Sequence, residues 1–253
     1  MWIRIEFIKD EGLKYISHLD MMRVFERSAR RADIRIAYSE GFNPRPKMVF
    51  GLPLPLGVIA EKDYADIEIE GDEVSDFDIG AFNQSLPPGL QINHVKERVG
   101  KENIMAAVKA AEYLIFVEAS SIIDEAEFKK DIRKFKNAES IMVEKERKGK
   151  KSVIDIKDMI YDISVGTEPG AKAGIDAEAG ANASVDVEKG TGTDTVRMDI
   201  PCIRLTVRAG NTDNVRPDLF LKAFNEITGK GYSALRILRT RLFKEENGEL
   251  GSF

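Results

Sequence analysis

A helix with one apolar stripe, followed at once by a proline-stiffened loop, constrains the fold of this chain more than any other feature. Both lie in the segment 15–57, YISHLDMMRVFERSARRADIRIAYSEGFNPRPKMVFGLPLPLG. Ser17 is a typical helix N-cap, and Asp20 follows three residues later as in a capping box. A helix of this kind must cover its apolar stripe with a second layer of structure. The predicted stripe consists of Met22, Phe25, Ala29 and Ala32.

The residues around this helix alternate between apolar and polar, as strands with one buried face do. Residues 2–8 and 63–70 show this alternation, and residues 75–85 predict a second helix before a closing strand at 90–99. The resulting order, β-α-β-β-α-β with one short additional extended segment, is close to the ferredoxin-like arrangement.

The second half of the chain has the same order of predicted elements, although no sequence repeat can be aligned. The sequence therefore predicts an α+β fold of two tandem ferredoxin-like (βαββαβ) halves with antiparallel sheets. Residues 166–194 are rich in Gly, Ala, Asp and Glu and contain no aromatic residue, so they are predicted to form a disordered loop. The predicted boundaries are 1–100 for the N-terminal half, 101–110 for a helical linker and 111–253 for the C-terminal half.

The composition restricts the classes of function. The chain of 253 residues has one cysteine, Cys202, two histidines and a net charge of -5. One thiol excludes a disulfide framework and an iron–sulfur cluster held by this chain's own cysteines, which takes about four. The N-terminus has no uninterrupted apolar core of a signal peptide, and no apolar run approaches the roughly 20 residues of a membrane span. We therefore expect a cytoplasmic protein without a membrane partner, a metal site or a cofactor.

Arginine residues are concentrated on one side of the predicted helix. Planar guanidinium groups suit phosphates and carboxylates, and residues at i, i+4, i+7 and i+8 share one helix side. Between residues 14 and 47, eight basic residues stand against four acidic ones, a local excess of +4. An ordinary solvated helix face is the alternative interpretation. The predicted phosphate contacts are Arg23, Arg27, Arg30 and Arg31.

The loop SEGFNPRPK carries the second part of the predicted site. Gly41 permits a backbone conformation that other residues disfavour, and Pro44 and Pro46 reduce the freedom of the chain around the basic residues. An aromatic ring beside basic residues on a rigid loop suits single-stranded RNA, which is bound by stacking and phosphate contacts together. A structural turn with the aromatic ring in the core is the alternative. The predicted contacts are Phe42, Asn43, Arg45 and Lys47.

Three further residues could extend this site. His18 lies near the start of the predicted helix, where the macrodipole lowers its pKa. A neutral histidine beside arginines is the equipment of a metal-independent RNA-cleaving site, although a structural or binding role is the alternative. Arg239 and Arg241 share one face of the last predicted strand. They could extend a basic groove or belong to an ordinary exposed strand face.

The motifs SHLD, RVFERSARR, YSEGFNPRPK and PLPLG resemble those of the DUF2344 family, the radical SAM-linked or radical SAM-associated proteins. The resemblance covers residues 1 to about 70 and continues more weakly to the basic strand LRTRLF. Members of this family occur fused behind, or encoded beside, a radical S-adenosylmethionine domain. The chain lacks the CxxxCxxC motif of such a domain, so the resemblance implies that a radical S-adenosylmethionine enzyme is its separately encoded partner.

The expected function is therefore a non-catalytic RNA-binding or substrate-recognition partner of a radical S-adenosylmethionine enzyme, in RNA modification or a ribosome-linked process. One alternative is a metal-independent endoribonuclease, since the paired layout is similar at the level of fold to Cas6-type RNA-processing proteins. The glycine-rich loop of those proteins has no match in this chain. The other alternative is a pure protein-interaction module that docks on the radical enzyme.

Overall fold

The structure, a computed structural model, describes residues 1–119, 123–147, 149–167, 201–210 and 213–253. These residues form five α-helices and eleven strands, and the predicted α+β class is confirmed. Within them, no helix is long and apolar enough to cross a membrane. The helices are α1 (His18–Arg31), α2 (Ile79–Ser85), α3 (Ile104–Ala107), α4 (Glu125–Lys136) and α5 (Pro217–Thr228). The strands are β1 (Trp2–Lys9), β2 (Met48–Phe50), β3 (Val58–Glu68), β4 (Leu90–Glu97), β5 (Ala110–Glu118), β6 (Met142–Arg147), β7 (Lys150–Asp155), β8 (Ile160–Thr167), β9 (Pro201–Arg208), β10 (Ser233–Glu246) and β11 (Glu249–Ser252).

The chain divides into two compact units, and three of the four divisions fall within β5, β9 and β10. The first unit comprises Met1–Tyr113, Thr206–Val215 and Ile237–Phe253, and the second comprises Leu114–Leu205 and Arg216–Arg236. The sequence places a division at 101–110 by chain order, whereas each unit combines separate segments of the chain.

The segment 101–110, predicted as a linker, is packed into the first unit. It contains the short helix α3, whose first residue, Ile104, is fully buried. The Ile104 N–H donates to Asp66 Oδ2 at 2.8 Å. This hydrogen bond ties α3 to β3, so the segment is part of the structure of the unit and not a free connection.

In the first unit the strand order is β4-β1-β3-β10-β5-β9, with β2 paired to β3 and β11 paired to β10. β1 is antiparallel to both β3 and β4. β10 is parallel to β3, with Ile237 opposite Val58 and Arg239 opposite Ala60. The prediction of purely antiparallel sheets is therefore wrong at this pair. Because β10 reaches β3 through a long crossover, no hairpin imposes the antiparallel direction.

The core of the first unit lies between α1 and the sheet. Strand β1 alternates as predicted, and its residues Ile3, Ile5 and Phe7 are buried. The ring of Phe25, fully buried on α1, lies 5.3 Å from that of Phe7 and 5.2 Å from that of Phe50, measured between centroids. These edge-to-face contacts between rings fix the position of α1 over the sheet.

The start of α1 is as predicted, whereas its buried stripe differs by one position. Ser17 is the N-cap, and its Oγ accepts a hydrogen bond from the Asp20 N–H at 3.2 Å. Ser28 is fully buried, and a buried hydroxyl needs a hydrogen-bond partner. Its Oγ donates to the Ser85 carbonyl at 3.0 Å, which makes this burial possible. The buried residues of α1 are Met21, Phe25, Ser28 and Ala29, while the predicted Met22 and Ala32 are half-buried.

In the second unit the strand order is β10-β5-β9-β8, and β6 and β7 form a separate two-stranded sheet. The Tyr232 hydroxyl donates to the buried Asp131 Oδ2 at 2.7 Å. Gly166 and Thr167 belong to β8, so the predicted disordered loop cannot begin at residue 166. The remainder of that prediction, residues 168–194, lies outside the described residues. The aromatic side chains that pack between α4 and α5 are Phe128, Phe135, Phe220, Phe224 and Tyr232.

Candidate functional site

Three of the four predicted arginines lie on the exposed side of α1. Arg23 Nη1 contacts Asp20 Oδ1 at 3.0 Å, and Arg30 Nη2 contacts Glu26 Oε1 at 3.1 Å. Arg27 is exposed and forms no ion pair with the residues that the structure describes. Exposed ion pairs contribute little to stability, so these guanidinium groups can exchange a carboxylate for a phosphate. The two acids nevertheless reduce the local positive excess that the sequence indicates.

Arg31, the fourth predicted phosphate contact, stabilises the fold. Its Nη2 donates to Ser28 Oγ at 2.9 Å and to the carbonyl of Ser85. Ser85 is the last residue of α2, and a cation near the final carbonyls of a helix stabilises that helix end. Arg31 therefore links α1 to the end of α2, and its role as a phosphate contact stays a prediction.

The loop after α1 is closed by two hydrogen bonds at its base. The Ser39 N–H donates to the Arg45 carbonyl at 2.9 Å, and the Arg45 N–H donates to Ser39 Oγ at 3.0 Å. Gly41 has φ +117°, which glycine adopts without strain. Phe42 is fully exposed, and Asn43 and Arg45 are exposed beside it. The alternative in which Phe42 belongs to the core is therefore wrong.

Tyr38 connects the base of this loop to the helix. Its hydroxyl donates to Glu26 Oε1 at 2.9 Å and accepts from Arg30 Nη2 at 3.5 Å. Tyr38 also forms a β-bridge with Pro46. Lys47, a predicted contact, is engaged in an ion pair with Glu68 at 2.7 Å. The exposed set on the helix and loop is called the α1–loop surface and consists of Arg23, Arg27, Arg30, Phe42, Asn43 and Arg45.

The two arginines predicted on the last strand are separated by the structure. Arg241 is exposed, as expected for a surface contact. Arg239 is fully buried, and its Nη2 forms an ion pair with Asp63 and donates to the Leu52 carbonyl at 2.8 Å. The interpretation of Arg239 as part of an exposed basic groove is therefore wrong. Its positive charge is paired with the Asp63 carboxylate inside the first unit.

A β-bulge in β3 explains how three charged residues meet in this interior. Phe7 pairs with Asp63 and Lys9 pairs with Ala60, so β3 has one residue more than β1 in this interval. The extra residue puts Ala60 and Asp63 on the same buried face. β10 then places Arg239 opposite Ala60 from the other side. Lys9, Asp63 and Arg239 are 1%, 2% and 0% exposed.

Lys9, Asp63 and Arg239 are called the buried cluster, and their surroundings shift the pKa of two of them, Asp63 and Lys9. Burial raises the pKa of Asp63, while Arg239 is the main group that opposes the rise by stabilising the carboxylate. Burial and the charge of Arg239 lower the pKa of Lys9 to about 8. Lys9 is therefore mostly charged at pH 7 but titrates in the mildly alkaline range.

His18 lines a small cavity of about 10 Å³, room for about one water molecule, together with Lys9 and Asp63. Its ring lies edge-on to that of Phe50, with 5.4 Å between centroids. Burial lowers the pKa of His18, and Asp63 opposes this shift. The direction agrees with the sequence prediction, but burial is the cause, and the macrodipole is not needed. The rest of the lining brings SHLD and PLPLG together and includes Ser17, Leu52, Pro53 and Leu54.

Sequence reasoning missed Lys9 and Asp63 as site residues. Lys9 did carry a signal, because it occupies the next inward position after Ile3, Ile5 and Phe7 in β1. A lysine at an inward position of a strand indicates a buried partner. Asp63 carried no comparable signal, since its inward orientation depends on the bulge in β3.

The geometry defines an α+β protein with an exposed surface of arginines and one aromatic ring, and with a pocket that contains buried charges. The chain matches, over residues 2–217, a family described as "Uncharacterized protein conserved in bacteria (DUF2344)", and it belongs to this family. The resemblance drawn from the motifs in 15–57 is thereby confirmed.

The chain is also similar to solved structures. It matches a chain of the "Crystal Structure of a Cbf5-Nop10-Gar1 Complex" with 13% identity and a TM-score of 0.50, covering 96% of this chain and 50% of that chain. A second match, "Crystal structure of the archaeal box H/ACA sRNP Nop10-Cbf5 complex", has 12% identity and a TM-score of 0.44, with 96% and 49% covered. This chain spans about half the length of the solved chains that it matches. At such identity the likeness concerns the fold alone. No curated protein matches the chain.

Proposed function

We propose that this protein is a recognition module that binds single-stranded RNA through the α1–loop surface. The observation that carries the proposal is Phe42, a fully exposed aromatic ring on a loop that two hydrogen bonds close. Stacking of a base on such a ring stabilises a complex by about 1–3 kcal/mol per base and requires no particular sequence. Because the loop is already ordered by its own contacts, little conformational entropy is lost when it binds.

Charge on the same surface supports the proposal. Arg27 and Arg45 are exposed, and the exposed Arg23 and Arg30 are each paired with an acid of their own helix, with Arg30 also donating to the Tyr38 hydroxyl. Phosphate contacts from such residues supply affinity that depends on salt. The net charge of -5 confines this attraction to a local patch, since the remainder of the chain repels a polyanion.

The proposed partner is a separately encoded radical S-adenosylmethionine enzyme that modifies RNA or a ribosome-linked substrate. Family resemblance motivates this part of the proposal. The chemistry of the chain is compatible with it, because the single cysteine, Cys202, is buried and the partner must hold the cluster. In this division of labour, the present chain presents the substrate and the partner carries out the reaction.

The tandem ferredoxin-like arrangement also belongs to the proposal. In the first unit β1, α1, β2, β3, α2 and β4 follow each other in βαββαβ order, with the sheet neighbours β4-β1-β3-β2. In the second unit β5, α4, β8, β9, α5 and β10 follow the same order once the β6-β7 hairpin is set aside, with the neighbours β10-β5-β9-β8. In both units, the fourth, first, third and second strands of the βαββαβ motif then lie side by side in that order.

Replacing Phe42 with alanine is expected to weaken binding of single-stranded RNA about 5- to 150-fold, which corresponds to the loss of one stacked base. Fluorescence anisotropy with a labelled RNA of mixed sequence measures the effect. Tyr161→Ala, which removes an exposed aromatic residue of the second unit, is the control and should leave the affinity unchanged. Equal affinities for Phe42→Ala and the unchanged protein would contradict the proposal.

The double variant Arg27→Ala/Arg30→Ala is expected to reduce both the affinity for RNA and its salt dependence. Two lost phosphate contacts should lower the slope of log K against log salt by about 1.4 for a single strand. Titrations at several salt concentrations give this slope. The matched control is Lys129→Ala/Lys222→Ala, which removes two exposed charges from the second unit. An unchanged slope in the arginine variant would show that these groups do not contact phosphate.

A second candidate function is docking on the radical enzyme without RNA. It is favoured by three exposed apolar side chains of the first unit, Tyr15, Leu19 and Leu56, which are 73%, 64% and 63% exposed. Co-purification with and without nuclease separates the two functions, because only a complex bridged by RNA dissociates after digestion. The endoribonuclease alternative, with His18 as general base, stays a prediction. Incubation of labelled RNA in EDTA with the protein and its His18→Ala variant tests it.

A further inference from the structure

A second exposed aromatic ring lies at the opposite end of α1 from the loop that carries Phe42. Tyr15 is 73% exposed and comes two residues before Ser17, the N-cap of α1. The loop with Phe42 lies beside the C-terminal half of the helix, because Tyr38 at its base accepts a hydrogen bond from Arg30. The two exposed rings therefore flank the exposed side of α1.

The position of Tyr15 is fixed by the segment that follows β2. The Gly57 N–H donates to the Lys14 carbonyl at 2.8 Å, which anchors the backbone directly before Tyr15. A Cβ at Gly57 would lie 3.9 Å from Tyr15 Cε1, so the edge of the ring lies against the bare backbone of this glycine. A ring that is already ordered loses little conformational entropy when a ligand binds to it.

A basic side chain accompanies this ring. Lys14 Nζ lies 5.3 Å from the centroid of the Tyr15 ring and forms a partly exposed ion pair with Glu11. An ion pair of this kind contributes little to stability, so the ammonium group can exchange the carboxylate for a phosphate. The N-terminal end of α1 thus repeats the combination of an aromatic ring and a cation that Phe42 and Arg45 form on the loop.

The exposed side of α1 connects these two ends. Leu19 is 64% exposed, and Arg23 follows it one helical turn later. At about 1.5 Å per residue, Leu19 and Arg30 lie about 16 Å apart along the helix axis. At the rise of about 3.4 Å per nucleotide of a stacked strand, this length corresponds to about five nucleotides. That number lies within the range of about 4–16 nucleotides that stacking grooves for single strands accommodate.

We propose that Tyr15 is a second stacking platform and that one single-stranded RNA extends along α1 from Tyr15 to Phe42. This inference rests on the proposed function, because it extends the α1–loop surface by Tyr15 and Lys14. It also sets a minimum length for the RNA, since only a strand that reaches both rings gains both stacks. The arginines between the rings favour RNA over an apolar protein surface, because charges that are buried against apolar side chains are costly.

Fluorescence anisotropy with labelled RNA of mixed sequence tests the proposal, with strands of about 12 and about 3 nucleotides, above and below the smallest site size. For the longer strand, Tyr15→Leu should weaken binding about 5- to 150-fold, which corresponds to the loss of one stacked base. Tyr15→Phe keeps the ring and should bind as the unchanged protein does. For the shorter strand, which contacts one ring at a time, Tyr15→Leu should have a much smaller effect, because the Phe42 end remains intact.

The matched control is Leu56→Ala, which removes a neighbouring exposed apolar side chain but no ring and should leave RNA affinity unchanged. Equal midpoints of urea denaturation show that the variants are folded. If Phe42→Ala weakens binding of the longer strand and Tyr15→Leu does not, the second platform is wrong while the proposed function stands, and Tyr15 is left to a protein contact. If Tyr15→Leu alone weakens it, the strand does not reach Phe42 and the bridge is wrong.

Two further outcomes count against the inference. If neither Tyr15→Leu nor Phe42→Ala weakens binding of the longer strand, the inference and the proposed function both fail. If Leu56→Ala causes the same loss as Tyr15→Leu, the contact is apolar and not a stack on the ring.

Discussion

Replacing Asp63 with asparagine is expected to lower the free energy of unfolding by about 3–5 kcal/mol. Asp63 is the only carboxylate of the buried cluster, so its neutralisation leaves Lys9 and Arg239 buried without a counter-charge. The side chains have nearly the same volume, which removes packing as an explanation. The midpoint of urea denaturation, compared at constant m-value, measures the change.

Two further variants identify the cause of this loss. Glu61→Gln, at an exposed position of the same strand, should change stability by no more than about 0.5 kcal/mol. The double variant Asp63→Leu/Arg239→Met removes both members of the pair and should recover much of the loss, because apolar residues of similar size often replace a buried pair without cost. If the double variant is less stable than Asp63→Asn by several kcal/mol, uncompensated charge is not the reason.

Replacing Phe25 with alanine is expected to cost about 3–5 kcal/mol, the range for deleting a fully buried aromatic side chain. Phe25 is fully buried, and its ring packs against those of Phe7, Phe50 and Phe82 within 5.9 Å. The cavity would lie between α1 and the sheet, where surrounding rings are too rigid to collapse into it. Urea denaturation followed by far-UV circular dichroism gives the stability.

Phe42→Ala is the control for this prediction as well, since it deletes the same atoms from a fully exposed position. It should change the free energy of unfolding by no more than about 0.5 kcal/mol. The pair of variants thus separates the two roles of phenylalanine in this unit: Phe25 affects stability and Phe42 affects RNA binding. Comparable losses of stability in both would contradict the assignment of Phe42 to the surface.

Local signals explain which parts of the fold could be predicted from the sequence. The N-cap at Ser17 and the alternation of Ile3, Ile5 and Phe7 depend only on neighbouring residues, and the structure agrees with both. The buried stripe of α1 differs from the predicted one because it includes Ser28, whose hydroxyl donates to the carbonyl of Ser85, 57 residues away. The periodicity of the helix sequence cannot predict that a serine is buried when its hydrogen-bond partner lies so far away along the chain.

The same distinction applies to the candidate site. The exposure of Phe42 and Arg45 follows from the prolines and glycine of their own loop, and it was open to prediction. The burial of Arg239 follows from a parallel pairing with β3 and from the bulge opposite β1. Both are long-range features, and the alternation of β10 alone indicates an exposed arginine.

The pairing of β10 with β3 also determines when the first unit can be completed during protein synthesis. Arg239 follows its partner Asp63 by 176 residues. At about 5–20 residues per second, a ribosome adds that length in about 9–35 s. Throughout this interval the nascent chain carries Asp63 and Lys9 without the strand that covers them. The N-terminal segments therefore reach their final stability only after β10 has been synthesised, and their apolar surface is available to chaperones until then.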